Sequence, residues 1–353
     1  VCVRTYAPAG SQPATLRAAL LATRAAMLVH EQHRHLFVGS TGMLKVAVGV
    51  LETWAADTHV VLPACGVTRA ATLADDSRAR VSKGLEHAKA AVELGALPLL
   101  LSLLQSPMSG TKHVVAELLG TLSRLTVTDA ICAQLANMDA LKLAIAKLGD
   151  HVTDAAVAKQ ACFFLANISG NDKCKTSIVQ ASGHVAVVQA MLLHPNHAGM
   201  QTDAVAALGN MALRMPTNCV AIAEAGGLVA IANAFVQHLN YPRMQSKGCL
   251  AIRNLVGRND ELRQPLLDLG VEQPLRTILH GYPDGQMHNM AKAALRELHC
   301  SISMQEGFTG ELGNAFQLDQ GDLNGESHWD KFLETPEAQA AMKAEMAAMG
   351  IKV

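Results

Sequence analysis

Aromatic and charged side chains are scarce in this sequence. Of its 353 residues, 3% are Phe, Trp or Tyr and 17% are Asp, Glu, Lys or Arg, whereas 50% are apolar. An ordinary mixed globular enzyme has more aromatic residues, and about a quarter of its residues are charged. A mainly disordered chain is excluded, because it would combine low hydrophobicity with high net charge. Few aromatics with abundant Ala and Leu are typical of helices packed on helices, so we predict an all-α fold.

An excess of charge of either sign is also missing. The chain has 29 basic and 30 acidic residues and a net charge of −1, so no global positive field attracts nucleic acid or anionic lipid. The longest apolar stretch, residues 97–104, is much shorter than the roughly 18 residues that span a bilayer. These absences predict protein partners rather than nucleic acid or membrane. The sequence begins at Val1 without the apolar segment of a signal peptide, and we expect a fragment or a processed product.

None of the eight cysteines belongs to a Cys-x-x-Cys pair. Several lie in apolar helical stretches, such as Cys162 in QACFFLANIS and Cys249 in KGCLAIRNLV. We therefore expect buried, reduced thiols, with Cys162 a packing residue rather than a nucleophile. Reduced thiols favour a reducing compartment, and the expected location is the cytoplasm.

The sequence repeats itself with a period of 43 to 44 residues. Asparagines recur at Asn167, Asn210 and Asn254, and the same step leads back to Arg124 and forward to Glu297. We call these five positions the ladder. A second marker follows the same period through Gly95, Asp139, Ser182, Gly226 and Gly270. Two independent markers with one period strongly indicate a repeat architecture.

Between the markers, apolar residues have helical spacing. Each unit is predicted to contain a short first helix, a glycine-turned corner, a second helix, a loop and a longer third helix that carries the ladder position. About six units fit before residue 300, with part of a seventh at the start. Both markers require an insertion of about ten residues, within residues 74–89, which we expect on the rim of the repeats, docked on neighbouring helices or touching a partner. Residues 1–300 are thus predicted to form a repeat domain and residues 301–353 a C-terminal extension.

The period and the three-helix layout resemble those of armadillo repeats. The segments ADDSRARVSKGLEHAKAAVE, LLHPNHAG, AIRNLV, PLLDLG and AKAALREL are similar to the corresponding segments of the armadillo repeat-containing protein six family, over approximately residues 60–300. The resemblance implies a right-handed α-solenoid whose third helices line a concave groove. It also implies that the recurring Asn can bind the backbone of an extended peptide.

A candidate protein-binding groove follows from this resemblance. Its residues are the ladder positions Arg124, Asn167, Asn210, Asn254 and Glu297, together with Phe163 and Leu250. An asparagine amide offers a donor and an acceptor, which matches the alternating groups of an unpaired main chain. Two interpretations stay open at this point: the asparagines bind a partner's backbone, or each ties its own helix to a neighbouring loop.

Importins place Trp four residues before the ladder Asn, and these rings hold the lysines of nuclear-localisation peptides. The equivalent positions here are Gly120, Phe163, Ala206, Leu250 and Ala293. Without a tryptophan array, recognition of basic nuclear-localisation peptides is not expected.

Residues that could support catalysis or hold a metal are few and poorly spaced. His30, His33 and His35 are clustered, but spacings of three and two residues do not place three imidazoles on one helical face. A solvated helix start is therefore favoured over a zinc site. The segment QLDQGDLNGE lacks the alternate spacing of a calcium loop, and GSTG lacks the lysine of a phosphate loop. We expect no catalytic residues, no metal and no cofactor.

The leading functional hypothesis is a non-catalytic scaffold or adaptor that binds protein partners. Stacked repeats create a long surface without a closed cavity that could exclude water for chemistry. The alternative is a structural connector in a large cytoskeletal assembly such as a ciliary axoneme. An enzyme with an unrecognised site is a distant third.

Composition changes after Cys300. Glycines between residues 307 and 325 interrupt any helical period, and Thr335 followed by Pro336 marks the start of a helix that we expect near 336–349. We predict that this extension contacts a partner rather than capping the last repeat, because flexible methionines suit adaptable interfaces. The predicted contact residues are Trp329, Phe332, Met342, Met346 and Met349.

Overall fold

Every regular element in the described part of the chain is helical, as the composition predicts. The computed structural model describes residues 12–39 and 41–302, together with Val3, Thr5, Ala7 and Pro8. Within these residues the helix Pro13–Met27 is followed by six units of three helices each. The predicted all-α architecture of stacked units is confirmed.

The six units share one order of helices. Unit 1 contains Glu31–Val38, Met43–Thr53 and Thr58–Ala71; unit 2 contains Gly84–Glu93, Ala96–Gln105 and Lys112–Leu125; unit 3 contains Asp129–Asn137, Ala140–Asp150 and Ala155–Ile168. Unit 4 contains Asp172–Gln180, Gly183–Leu193 and Ala198–Ala212; unit 5 contains Pro216–Glu224, Gly227–Gln237 and Pro242–Val256; unit 6 contains Arg263–Asp268, Glu272–Gly281 and Gly285–Glu297. The helix Pro13–Met27 packs on the third helix of unit 1, as successive third helices do, so it is the third helix of a partial first unit.

Local capping explains where many of these helices begin. The side chains of Asp57, Asp154 and Asn171 accept hydrogen bonds from backbone N–H groups in the first turn, which satisfies donors that have no partner within the helix. Pro216 and Pro242 are the first residues of their helices, where the missing N–H is not needed. The helix starts are thus encoded locally.

A residue with positive φ precedes the second helix of every unit. These residues are Gly42, Gly95, Asp139, Ser182, Gly226 and Gly270, with φ between 56° and 85°. The left-handed conformation turns the chain between the first and second helices, and it favours glycine because a Cβ is disfavoured there. The predicted glycine-turned corner is confirmed, and an Asp and a Ser adopt the same conformation in units 3 and 4.

Substitutions at these corners should change stability according to backbone conformation alone. Gly226→Ala should destabilise the protein by about 1 kcal/mol, because a Cβ added there contacts nothing within 4 Å and only the left-handed φ opposes it. Ser182→Gly should act in the opposite sense by a smaller amount. Urea-unfolding midpoints provide the measurement.

Gly149→Ala is the matched control for this prediction. A Cβ at Gly149 also contacts nothing within 4 Å, but this residue lies in the helix Ala140–Asp150, where Ala is the better helix former. The control should therefore be neutral or stabilising. Equal midpoints for Gly226→Ala and Gly149→Ala would contradict the conformational explanation.

The most extensive helix contacts join the third helices of successive units. Small residues allow these helices to approach closely, since a Cβ at Gly209 would lie 2.8 Å from the Cα of Ala251 in the next third helix. Phe164, Leu208 and Ile252 are fully buried in the same stack. The third helices therefore lie side by side, and this arrangement positions the groove residues.

The insertion between units 1 and 2 is attached to the first helix of unit 1 by a buried cation. The side chain of Arg34 is 0% exposed. Its guanidinium donates to Glu31 Oε2 at 2.8 Å, to the backbone carbonyl of Met27 at 2.8 Å and to Asp75 Oδ1 at 2.5 Å. The neighbouring Asp76 accepts a hydrogen bond from the backbone N–H of Glu31 at 2.9 Å. This end of the insertion docks on the repeats, which is one of the two predicted outcomes.

The insertion lies between the third helix of unit 1 and the first helix of unit 2. The helix Gly84–Glu93 takes up part of the predicted range 74–89, so the extra residues end before Gly84. Gly84 fits tightly against the end of unit 1, because a Cβ there would lie 2.7 Å from the carbonyl oxygen of Thr72. Marker spacing measures an inserted length but not its ends, which depend on such contacts. Within the insertion, residues 77–81 form a separate turn of exposed and half-buried residues.

The predictions about the C-terminal extension lie outside the described residues, which end at residue 302. The helix near 336–349 therefore stays a prediction. So do the contact residues Trp329, Phe332, Met342, Met346 and Met349.

Candidate groove on the third helices

The ladder asparagines connect each third helix to the one before it. Asn167 Nδ2 donates to the backbone carbonyl of Ser123 at 2.9 Å, Asn210 Nδ2 to that of Ala166 at 2.8 Å, and Asn254 Nδ2 to that of Gly209 at 2.9 Å. Each acceptor directly precedes the ladder position of the previous unit. The amide nitrogens thus have a structural role, and their partners are third helices rather than the loops that one interpretation expected.

The amide oxygens differ along the ladder. Asn254 Oδ1 accepts a hydrogen bond from Arg253 Nη2 at 3.2 Å. The amide oxygens of Asn167 and Asn210 have no donor among the described residues, and both side chains belong to half-buried residues. An amide oxygen can accept a main-chain N–H, so these two residues combine a structural nitrogen with an oxygen that a partner can use.

Three predicted residues meet in one cleft. The guanidinium carbon of Arg124 lies 5.6 Å from the ring centroid of Phe163, within the range of a cation–π interaction. Both residues, with Asn167, line a cleft of about 390 Å³. The ring supports the cation from one side, and the ladder amide lies beside it.

A second cleft, of about 490 Å³, crosses the third helices from the partial unit to unit 5. Its lining includes five cations, contributed by different helices: Arg24, Arg69, Arg124, Lys159 and Arg243. One carboxylate, Asp203, lines the same cleft. Because each helix contributes one of these six side chains, the charged cluster exists only when the units are stacked.

Two of these cations have carboxylate partners. Arg69 Nη2 lies 2.5 Å from Glu117 Oε2. Arg243 Nη2 lies 3.1 Å from Asp203 Oδ1, and the Asp203 side chain is 5% exposed. The carboxylates of the cleft are therefore either paired or buried, and little negative charge faces the solvent there.

Arg124 and Lys159 form no ion pair among the described residues. Loss of contact with water, and then the charges of Arg69 and Arg243, lower the pKa of Arg124 from its ordinary value. An arginine nonetheless stays protonated at neutral pH. Burial raises the pKa of Asp203, although Arg243 and Lys159 oppose that shift. With Arg24, which likewise forms no ion pair in the described part of the chain, Arg124 and Lys159 are the cations of this cleft that an anionic group can reach.

The remaining predicted residues divide between two places. Asn254 and Glu297 line a smaller cleft of about 150 Å³ near units 5 and 6, together with Arg253. Asn210 and Leu250 line none of these three clefts. The structure thus brings together Arg124, Phe163 and Asn167 at one end of the ladder and Asn254 with Glu297 at the other.

Of the charged cluster, only Arg124 was among the residues predicted from the sequence, although a signal for part of the rest exists. The first four ladder positions are each preceded, seven residues earlier, by a polar residue: Glu117, Gln160, Asp203 and Lys247. Seven residues are about two helical turns, so this polar row shares a face with the ladder. A polar residue at the same place in four third helices could have identified the row, but not the pairing of its charges.

The described residues contain no group of three or more His, Cys, Asp or Glu side chains placed to hold a metal ion. His30 and His33 are neighbours, with ring centroids 4.7 Å apart, and both are exposed. Among the helices of the described ranges, none taken singly is long and apolar enough to cross a membrane; four bent helix pairs meet that criterion by length and composition alone.

The described cysteines are free thiols. Cys65, Cys162 and Cys249 are fully buried. Burial raises the pKa of Cys65 and of Cys249 to about 12 and also raises the pKa of Cys162. Since the thiolate is the reactive form, these residues are packing elements in the third helices.

Three-helix units with left-handed corners and an asparagine ladder define an armadillo-repeat protein, and armadillo repeats are a common protein-interaction scaffold. The sequence model of the ARMC6 family matches residues 5–317. The chain belongs to the ARMC6 family.

Two curated relatives carry the same family name. The chain is 37% identical over 300 residues to Armadillo repeat-containing protein 6 of Homo sapiens, which covers 82% of this chain and 59% of that protein. It is 32% identical over 204 residues to Armadillo repeat-containing protein 6 of Pongo abelii, covering 55% of this chain and 40% of that protein. The chain therefore spans less than two thirds of the length of these relatives.

Solved structures share the fold at lower identity. A crystal structure of an engineered protein has a TM-score of 0.64 and 23% identity, covering 82% of this chain and 66% of that one. A designed armadillo repeat protein in complex with the peptide (KR)4 has a TM-score of 0.56 and 20% identity, covering 72% of this chain and 99% of that one. At these identities the likeness shows the fold alone.

Proposed function

We propose that this chain is a non-catalytic scaffold that binds an extended segment of a partner protein along its third helices. The observation that carries the proposal is the cleft shared by third helices from successive units. A groove built from equivalent positions of stacked repeats matches the regular spacing of an extended chain. The amide oxygens of Asn167 and Asn210 supply acceptors for main-chain N–H groups.

The chemistry of the clefts supports binding rather than catalysis. Their titratable groups are mainly arginines, which do not exchange protons at neutral pH. The buried cysteine thiols have raised pKa values, so they are poor nucleophiles. The designed armadillo protein in complex with (KR)4 is an example of a peptide bound to this fold.

The proposal extends to the C-terminal residues and to the location of the protein. We propose residues 301–353 as a second contact with partners, through the aromatic and methionine residues predicted from the sequence. Buried free thiols in the third helices of units 1, 3 and 5 also support a reducing compartment, for which we propose the cytoplasm.

A capture experiment with matched variants tests the groove. We expect tagged wild-type chain to retain stoichiometric partners from a cell lysate, as measured by quantitative mass spectrometry. The double variant Arg124→Ala/Phe163→Ala removes the cation and the ring of the first cleft, and it should reduce that capture by more than about tenfold, as loss of a central contact does. Circular dichroism and thermal melts confirm that the variant is folded.

The control is Lys142→Ala/Leu192→Ala, which also removes one cation and one large apolar side chain. Both residues are exposed, at 76% and 65%, and they lie in second helices. The control should retain the partners. If the groove variant is folded and both variants capture the same partners to the same extent, the third helices are not the binding surface.

A further inference from the structure

The three clefts are lined mainly by positively charged side chains, although the whole chain is nearly neutral. The residues that line the three clefts include eight cations: Arg24, Arg69, Arg124, Lys159, Arg214, Arg243, Arg253 and Arg258. They include two anions, Asp203 and Glu297. The complete chain has 29 basic and 30 acidic residues, so positive charge is concentrated along these clefts. Local concentration of one sign attracts ligands of the opposite sign.

The acidic groups around the larger cleft do not neutralise it toward solvent. Glu117 is paired with Arg69. Asp203 is 3% exposed and is bonded to Arg243, while Lys159 and Lys247 also act on its charge. Its buried carboxylate therefore interacts with these cations and is not exposed to a ligand.

Three cations of the larger cleft, Arg24, Arg124 and Lys159, have no ion pair among the described residues, and Arg124 and Lys159 come from adjacent third helices in units 2 and 3. Arg124 has no ion pair among the described residues, and its cation–π contact with Phe163 holds it over the cleft. Lys159, from the next third helix, lines the same cleft as Arg124 and is likewise without an ion pair there. Asn167, two turns after Lys159 on the same helix, lines the smaller cleft with Arg124, and its amide oxygen has no donor among the described residues.

We infer that the groove selects an acidic extended segment of a partner protein, whose Asp or Glu side chains pair with Arg124 and Lys159. This inference rests on the proposed function and adds the chemistry of the partner. In this arrangement the amide oxygens of Asn167 and Asn210 accept main-chain N–H groups of the segment. A single-stranded nucleic acid would need successive aromatic platforms for its bases, and Phe163 is the one aromatic side chain that lines these clefts.

Three synthetic peptides of equal length test the charge preference of the wild-type chain. The probe is fluorescein-labelled (Asp-Thr)6, with (Asn-Thr)6 as the neutral analogue and (Lys-Thr)6 as the basic one; Thr disfavours helix in all three. Fluorescence anisotropy at low salt should give at least about tenfold tighter binding for the acidic peptide than for the neutral one. The preference should decrease as salt is raised, because ion pairs are screened.

Charge-matched variants test the position of the site. Arg124→Gln/Lys159→Gln should weaken binding of the acidic peptide by about fivefold to tenfold, as expected for two partly exposed ion pairs. Lys142→Gln/Lys173→Gln changes the net charge equally, but both lysines are exposed and lie outside the third helices. This control should bind as the wild type does.

Several results would overturn the inference. These are equal binding of acidic and neutral peptides, preference for the basic peptide, no saturable binding of any peptide, and equal weakening by both double variants. Tighter binding of single-stranded DNA with the same dependence on Arg124 and Lys159 would identify a nucleic acid as the ligand instead. If capture from lysate needs the groove while the peptides show no acidic preference, the scaffold function stands and only the charge selectivity fails.

Discussion

Replacing Arg34 with methionine should lower the free energy of unfolding by about 3 to 5 kcal/mol, because it removes one partner from a buried ion cluster. The substitution leaves Glu31 buried without its cation, and it frees Asp75 from the same guanidinium. The carbonyl of Met27 also loses a donor. Urea unfolding followed by circular dichroism measures the change.

Two further variants separate the cluster from general effects of the substitution. Arg17→Met changes an exposed arginine in the preceding helix and should have little effect. Adding Asp75→Asn to Arg34→Met should cost less than the sum of the single changes, because the two residues share one ion pair. A loss below about 1 kcal/mol for Arg34→Met would show that the cluster contributes no more than a surface pair.

Replacing Asn167, Asn210 and Asn254 together with alanine should destabilise the protein by about 1.5 kcal/mol. Each variant loses a hydrogen bond to the preceding third helix, worth about 1 kcal/mol. Alanine returns about 0.5 kcal/mol per site through its higher helix propensity. Thermal and urea unfolding report the net change.

Asn233→Ala is the control for the ladder. This asparagine is exposed in the second helix of unit 5, so its replacement gains helix propensity without losing a link between units. The control should be neutral or slightly stabilising. If the triple variant is as stable as the control while partner capture is lost, the asparagines act in binding alone and the structural role of their nitrogens is refuted.

Much of the repeat architecture could be predicted from the sequence, because it is encoded by local chemistry at regular spacing. Glycines at Gly95 and Gly226 indicate a corner, since a positive φ favours glycine whatever surrounds it. Apolar spacing indicates the helices between corners. The insertion was detected for the same reason, but its end depends on contacts such as that of Gly84 with Thr72, which leave no mark on the period.

The role of each groove residue could not be predicted in the same way. From the sequence, a ladder Asn could equally well bond a neighbouring helix or a partner. Only the structure shows that each Nδ2 donates to a backbone carbonyl 2.8 to 2.9 Å away in the preceding third helix. Arg34 illustrates the same limit. It lies in the polar segment HEQHRH, which indicated a solvated helix start, yet its side chain is buried by Asp75 from the insertion.

The sequence by itself determined the repeat: its period, its corners, its helical content and the face that carries the ladder, all of which depend on interactions within one unit. The tertiary structure decided which charges are neutralised and which remain available. Arg69 and Glu117, or Arg243 and Asp203, are 40 or more residues apart, and each pair forms only when neighbouring third helices stack. Electrostatic interactions depend on distance in space and on burial, so a near-neutral sequence can still fold into a basic groove.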